Sequence, residues 1–95
     1  MDRPRLYVDF NEMIEENLVL LSKEDEKIDS GGAVVKLTEG LRVYVYMDDI
    51  DENGKPDNLL AEGVAERNTR GGWSAAAKWC CRIDDSGIRR ASDSE

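Results

Sequence analysis

The chain has 95 residues, with 21 acidic and 13 basic side chains, a formal charge of −8 and no histidine. That length holds one domain, and 40% hydrophobic against 36% charged residues describes a folded core under a charged exterior. The charge works against adsorption to phosphate backbones and anionic membranes. The lack of histidine removes Ser–His and Cys–His nucleophile systems.

In chain order, Leu6, Val8 and Phe10 alternate with Tyr7 and Asp9, which predicts a first strand. Asn11 is placed to cap one helical turn over Glu12 to Glu16. Asn17 to Leu21 reads as a second strand. The polar run Lys23 to Gly32 reads as a loop, and Ala33 to Leu37 as a third strand. Leu41, Val43, Val45 and Met47 share one parity and Arg42, Tyr44 and Tyr46 the other, the period of a half-buried strand. The segment Asp48 to Asn58 turns the chain into a return strand, Leu59 to Arg67, where Gly63 breaks the alternation and predicts a bulge or bend. After Asn68 to Gly72, one long strand is expected from Trp73 to Ile83. Trp73, Ala75, Ala77, Trp79, Cys81 and Ile83 make its apolar face. Ile88 begins a last short strand. Residues 1–91 form one domain, and 92–95 are expected to be a disordered tail.

Short strands joined by Gly- and Asp-bearing turns imply an all-β fold, a small five- to six-stranded antiparallel barrel. The run Glu39-Gly40-Leu41-Arg42-Val43-Tyr44-Val45-Tyr46, a loop, then Leu60-Ala61-Glu62-Gly63-Val64 resembles the central hairpin of SH3-like barrels of the KOW and Tudor kind. The resemblance covers about a quarter of the chain and implies a superfold used by many binding modules, not a function. An OB-like barrel is the alternative.

Four features bear on function. Asp49, Asp51, Asn53, Gly54 and Asp57 match an EF-hand loop, but its last position is Leu60 where a bidentate Glu belongs, and the flanks are strands. A solubilising hairpin loop is expected there, with no metal and no cofactor. Cys80 and Cys81 are adjacent, so on a strand they face opposite ways; Cys81 is read as a buried hydrophobe and Cys80 as a semi-exposed thiol. No other residues fall into complementary catalytic roles, so no enzyme is expected. Tyr44, Tyr46 and Trp73, with Arg42 and Arg70, have the composition of a recognition surface.

The leading expectation is therefore a non-catalytic module that binds a protein or peptide. The second is single-stranded nucleic-acid binding through residues 67–90, where six basic side chains face two acidic ones, a local +4 that leaves −12 elsewhere. Met1 to Arg5 lead into no apolar stretch, and Leu18-Val19-Leu20-Leu21 falls far short of the about 20 residues that span a bilayer. A cytoplasmic protein without a membrane partner is expected, in keeping with so few cysteines.

Overall fold

The computed structural model describes residues 2–94, apart from the side chains of Trp73 and Ser94. Apart from two short 3-10 turns, its regular elements among the described residues are all strands: β1 (Leu6–Tyr7), β2 (Met13–Glu15), β3 (Leu18–Ser22), β4 (Glu26–Ile28), β5 (Val34–Lys36), β6 (Arg42–Met47), β7 (Leu59–Arg67), β8 (Trp79–Ile83) and β9 (Arg89–Arg90). The main sheet runs β1-β6-β7-β8-β3-β2, with β9 pairing the start of β7, and β4–β5 forms a separate hairpin. The sheet curls into a half-barrel and stays open.

The alternating residues of the central strands decide which way they face. Val43, Val45, Ala61, Ala65, Trp79, Cys81 and Ile83 all point inward and join Leu6, Val8, Val19 and Leu21 in one core. Leu37, next to β5, is buried in the same cluster, and Val35 packs against it, so the β4–β5 hairpin leans on the hollow of the curl. The opposite residues, Tyr44, Tyr46, Glu62, Val64, Glu66, Cys80 and Arg82, form the outer face.

Three turns share one chemistry. At Asp29, Asp51 and Asp84 the carboxylate accepts the N–H two residues on, while a glycine at the third position donates to the aspartate carbonyl. Those glycines, Gly32, Gly54 and Gly87, have φ of 88°, 79° and 67°, a left-handed conformation that L side chains resist.

Several elements differ from the sequence reading. Glu12 to Glu16 is not a helical turn: Met13–Glu15 pairs with β3 across a register shift, with Glu12 contributing its carbonyl to the Leu20 N–H at 3.3 Å. The charged Lys23 to Gly32 segment contains β4, where Lys27 lies opposite Val35. The strand expected from Trp73 begins only at Trp79; Gly72–Ser74 is a 3-10 turn whose Ser74 oxygen accepts from Asn68 Nδ2 at 2.7 Å. Gly63 forms no bulge, since β7 pairs in unbroken register with both neighbours. A Cβ there would overlap the Arg82 carbonyl oxygen, so the glycine permits a close backbone approach instead. The β1–β6 pair is parallel in an otherwise antiparallel sheet, Leu6 opposite Val45. The expected tail starts on anchors: the Ala91 N–H donates to Asn58 O, and Ser92 donates to the Asp57 carboxylate through its N–H (3.1 Å) and hydroxyl (3.0 Å). Glu95 lies outside the described residues.

Candidate functional site

The outer face of β6 brings together three of the predicted residues, Arg42, Tyr44 and Tyr46. The parallel pairing of β1 adds Tyr7, opposite Tyr46, and the two rings meet edge to face with centroids 5.5 Å apart. The Arg3 guanidinium lies 4.0 Å from the Tyr44 ring centre, and those of Arg5 and Arg42 each lie 5.9 Å away. Tyr7 is 44% exposed, while Tyr44 and Tyr46 are half-buried. The result is a tyrosine patch rimmed by guanidinium groups.

Charge pairing holds this patch in place. Glu62 receives Arg42 at 3.1 Å and Arg89 at 3.0 Å, with Arg5 at 3.9 Å, and Arg42 also reaches Asp84 at 2.7 Å. Arg5 is fully buried. Its guanidinium donates to both Asp2 carboxylate oxygens at 2.9 Å, and to the Val45 and Ala61 carbonyls at 3.2 and 3.1 Å. A buried guanidinium is tolerated because so many acceptors surround it. One donor close by, Arg89 Nη1, is buried without a hydrogen-bond partner.

Arg70 belongs to a second cluster at the far end of the face. It pairs with Glu15 and approaches Glu66 at 3.7 Å, while Arg82 binds Glu66 through two nitrogens (3.1 and 2.9 Å) and Glu15 at 3.0 Å. Arg70 thus does not join the tyrosines. Trp73 follows it in the 3-10 turn, and its expected part in the recognition surface concerns a side chain outside the described residues.

The thiols also differ from expectation in one respect. Both Cys80 and Cys81 are fully buried and free. Burial raises the pKa of Cys80, with Arg70 and Arg82 pulling the other way, and pushes Cys81 up to about 12. Neither is poised as a nucleophile. The carboxyl groups with resolved shifts move downward. Hydrogen bonds from Arg82, Arg70, Arg5 and Lys78 lower Glu15, Glu66, Asp2 and Asp25, and the Ser86 hydroxyl leads in lowering Asp84. That is the direction of a structural anion, opposite to that of a general acid.

The Asp49–Asp57 loop does not gather its oxygens. Asp51 accepts the Asn53 and Lys55 N–H groups at 2.9 Å, Asp49 pairs with Arg90 at 3.1 Å, and Asp57 is held by Ser92. Asn53 is exposed. Among the described residues no group of three or more metal-ligating side chains converges.

The basic segment is largely neutralised. Arg70, Lys78, Arg82, Arg89 and Arg90 each pair with a carboxylate, and Arg67 stacks 5.0 Å from the centre of the Trp79 ring. Among the described residues no helix is long and apolar enough to cross a membrane. Comparison with protein-family models, with curated proteins and with solved structures finds no match to this chain.

Proposed function

We propose that the chain is a non-catalytic interaction module on a small SH3-like barrel scaffold, and that it binds a protein or peptide through the patch of Tyr7, Tyr44 and Tyr46 with Arg3 and Arg42. The observation that carries this reading is the convergence of three partly exposed tyrosines and two half-exposed guanidiniums on one face of the sheet. Tyrosine and arginine bring large contact area and directional donors at low entropic cost, the composition of interface hot spots. The curled antiparallel run β6-β7-β8-β3 supports the scaffold, and two reduced, buried cysteines suit a cytoplasmic setting. The downward shift of the resolved carboxyl pKa values supports a non-catalytic role.

Nucleic-acid binding through residues 67–90 draws less support, because phosphates would have to displace carboxylates already paired with those side chains. The test is affinity capture from the native lysate with wild type beside Tyr7→Ala/Tyr44→Ala, both checked for equal melting temperature. A protein retained by wild type and lost from the variant is expected. Equal capture by both, or wild-type binding to a single-stranded oligonucleotide that weakens steeply with salt, overturns the reading.

A further inference from the structure

The half-barrel is open along a seam. β1 ends the sheet on one side and β2 on the other, and the two do not pair. Between β1 and the end of β3 lies a cleft of about 550 Å³, walled by Tyr7 and Val8 on one side and by Leu20 and Leu21 on the other, with Ala77 and Lys27 beside them.

Three independent features of the cleft describe its occupant. The first is the backbone of β1. In a parallel pair, alternate residues aim N–H and C=O at the neighbouring strand. The Val8 N–H donates to Tyr46 O at 2.9 Å, so Tyr7 directs its own groups the other way, into the seam. One step upstream on the same edge, Arg5 meets Ser30 twice: its N–H donates to Ser30 Oγ at 2.9 Å, and its carbonyl accepts the Ser30 N–H at 2.8 Å. This edge therefore already accepts strand-like pairing from that side, and the pairing stops short of Tyr7.

The second feature is the walls. Val8 and Leu21 are buried members of the core, so an added strand would set alternate apolar side chains against them. The third is Lys27. Its side chain is half-buried, its Nζ donates to the Leu21 carbonyl at 2.8 Å, and it has no ion-pair partner among the described residues. Every basic side chain of the outer-face clusters has a carboxylate; this one, set deeper than the exposed lysines, lacks it. Desolvation lowers its pKa accordingly. Asp9, Glu12 and Lys23 also border the cleft, so side chains of both signs line it beside Lys27.

We propose that the seam receives an extended segment of a partner protein, which adds as a strand to the free edge of β1 at Tyr7 and sets an Asp or Glu side chain against Lys27. Main-chain bonds to an unpaired edge supply affinity while alternate side-chain pockets supply selectivity. A compact small molecule would leave the Tyr7 backbone groups unused. The seam shares Tyr7 with the tyrosine face but includes neither Tyr44 nor Arg42, so responses at Leu21 and Lys27 against those at Tyr44 and Arg42 tell the two sites apart.

The test is selection of random linear peptides, displayed on phage, against the full chain. A synthetic peptide of the recovered consensus is then titrated by NMR. Alternating apolar sequences with an acidic residue at one fixed position are expected, shifting the amides of Tyr7, Leu21 and Lys27. Changing that acid to its amide should weaken binding about tenfold to wild type. The same change should have no effect on Lys27→Met, which keeps the apolar stem, and should retain its effect on Lys27→Arg. No enrichment, a consensus without an acid, or an equal loss in wild type and Lys27→Met overturns the proposal. Shifts confined to Tyr44 and Arg42 overturn it too, while leaving the tyrosine-face reading intact.

Discussion

Cys80 and Cys81 are neighbours in the chain and point to opposite faces of β8, yet both are fully buried. Cys81 belongs to the core. Cys80 stands on the outer face among Arg70, Glu66, Arg82 and Glu15, whose charges act on it. Desolvation raises both thiol pKa values, so neither forms much thiolate at mild alkalinity. At about pH 8 the native protein is expected to react with a thiol-exchange reagent far more slowly than a free thiol does, and both groups are expected to react at once in denaturant. A fast-reacting single thiol in the native state would contradict the burial of Cys80. Alternation alone places Cys81 well and Cys80 badly, because it says which face a residue is on and nothing of what covers that face. The same distinction explains the Asp49–Asp57 loop. Its Asp and Gly residues resemble a cation site, but the repeated Asp-x-x-Gly spacing at Asp29, Asp51 and Asp84 is the stronger signal, and it specifies a turn.

Among the elements, the β6–β7 hairpin is legible in the sequence because its pattern is long, its residues are β-branched or aromatic, and its connection is local. For β8 the pattern runs past the strand. Ala75 and Ala77 continue the parity of Trp79, but a chain of small residues cannot pin a strand, and Gly71-Gly72 lets it turn instead. β2 and β4 are hidden by charge: Glu15, Glu26 and Lys27 have weak strand preference and pair only because a neighbouring strand is present. Gly63 interrupts the alternation as a bulge would, but its role is different. It lies where the β8 backbone approaches too closely for any side chain, with Arg82 O, Arg82 C and Ile83 Cα all within 3.0 Å of the position a methyl group would take. Gly63→Ala is accordingly expected to destabilise the fold by about 3 kcal/mol, at the upper end of the overpacking range. Gly40→Ala, where no atom is within 4 Å but φ is +84°, should cost about 1 kcal/mol, as an αL position does. Chemical denaturation measures both, and equal losses would show that β7 and β8 can move apart at little cost.

For the whole molecule, the outer face is a lattice of ion pairs that links β2, β6, β7, β8 and β9 through Glu15, Glu62, Glu66, Arg42, Arg82 and Arg89. Hydrogen bonds from arginines depress Glu15 and Glu66 below their ordinary value of 4.5. A depressed carboxyl contributes stability that is complete above its unfolded pKa and is lost as pH falls through its lower folded pKa. The melting temperature should therefore hold from about pH 7 to pH 5 and decline below about pH 4.5. Arg82→Met should melt below wild type at neutral pH, with the gap closing as the solution is acidified; a gap independent of pH would assign Arg82 a packing role only. Single exposed pairs contribute little, so the effect is expected from the cluster. Little of this lattice is legible in the sequence, which separates Glu15 from Arg82 by most of the chain. Periodicity carries no information about which strands become neighbours. The all-β class and the inward residues of β6 to β8 are readable; the parallel β1–β6 pair, and with it Tyr7 and Arg3 in the tyrosine patch, is not.

The guanidinium of Arg5 bonds to carbonyls that lie 40 and 56 residues further along the chain. During synthesis Arg5 therefore emerges long before Val45 and Ala61, and the β6–β7 hairpin must exist before β1 has anywhere to dock. Closing so long a loop is slow, and its reward is a two-residue strand, the burial of Leu6 and Val8 and one buried cation. In the nascent chain β1 is thus an unassigned passenger, and its docking is expected to be a late act of folding.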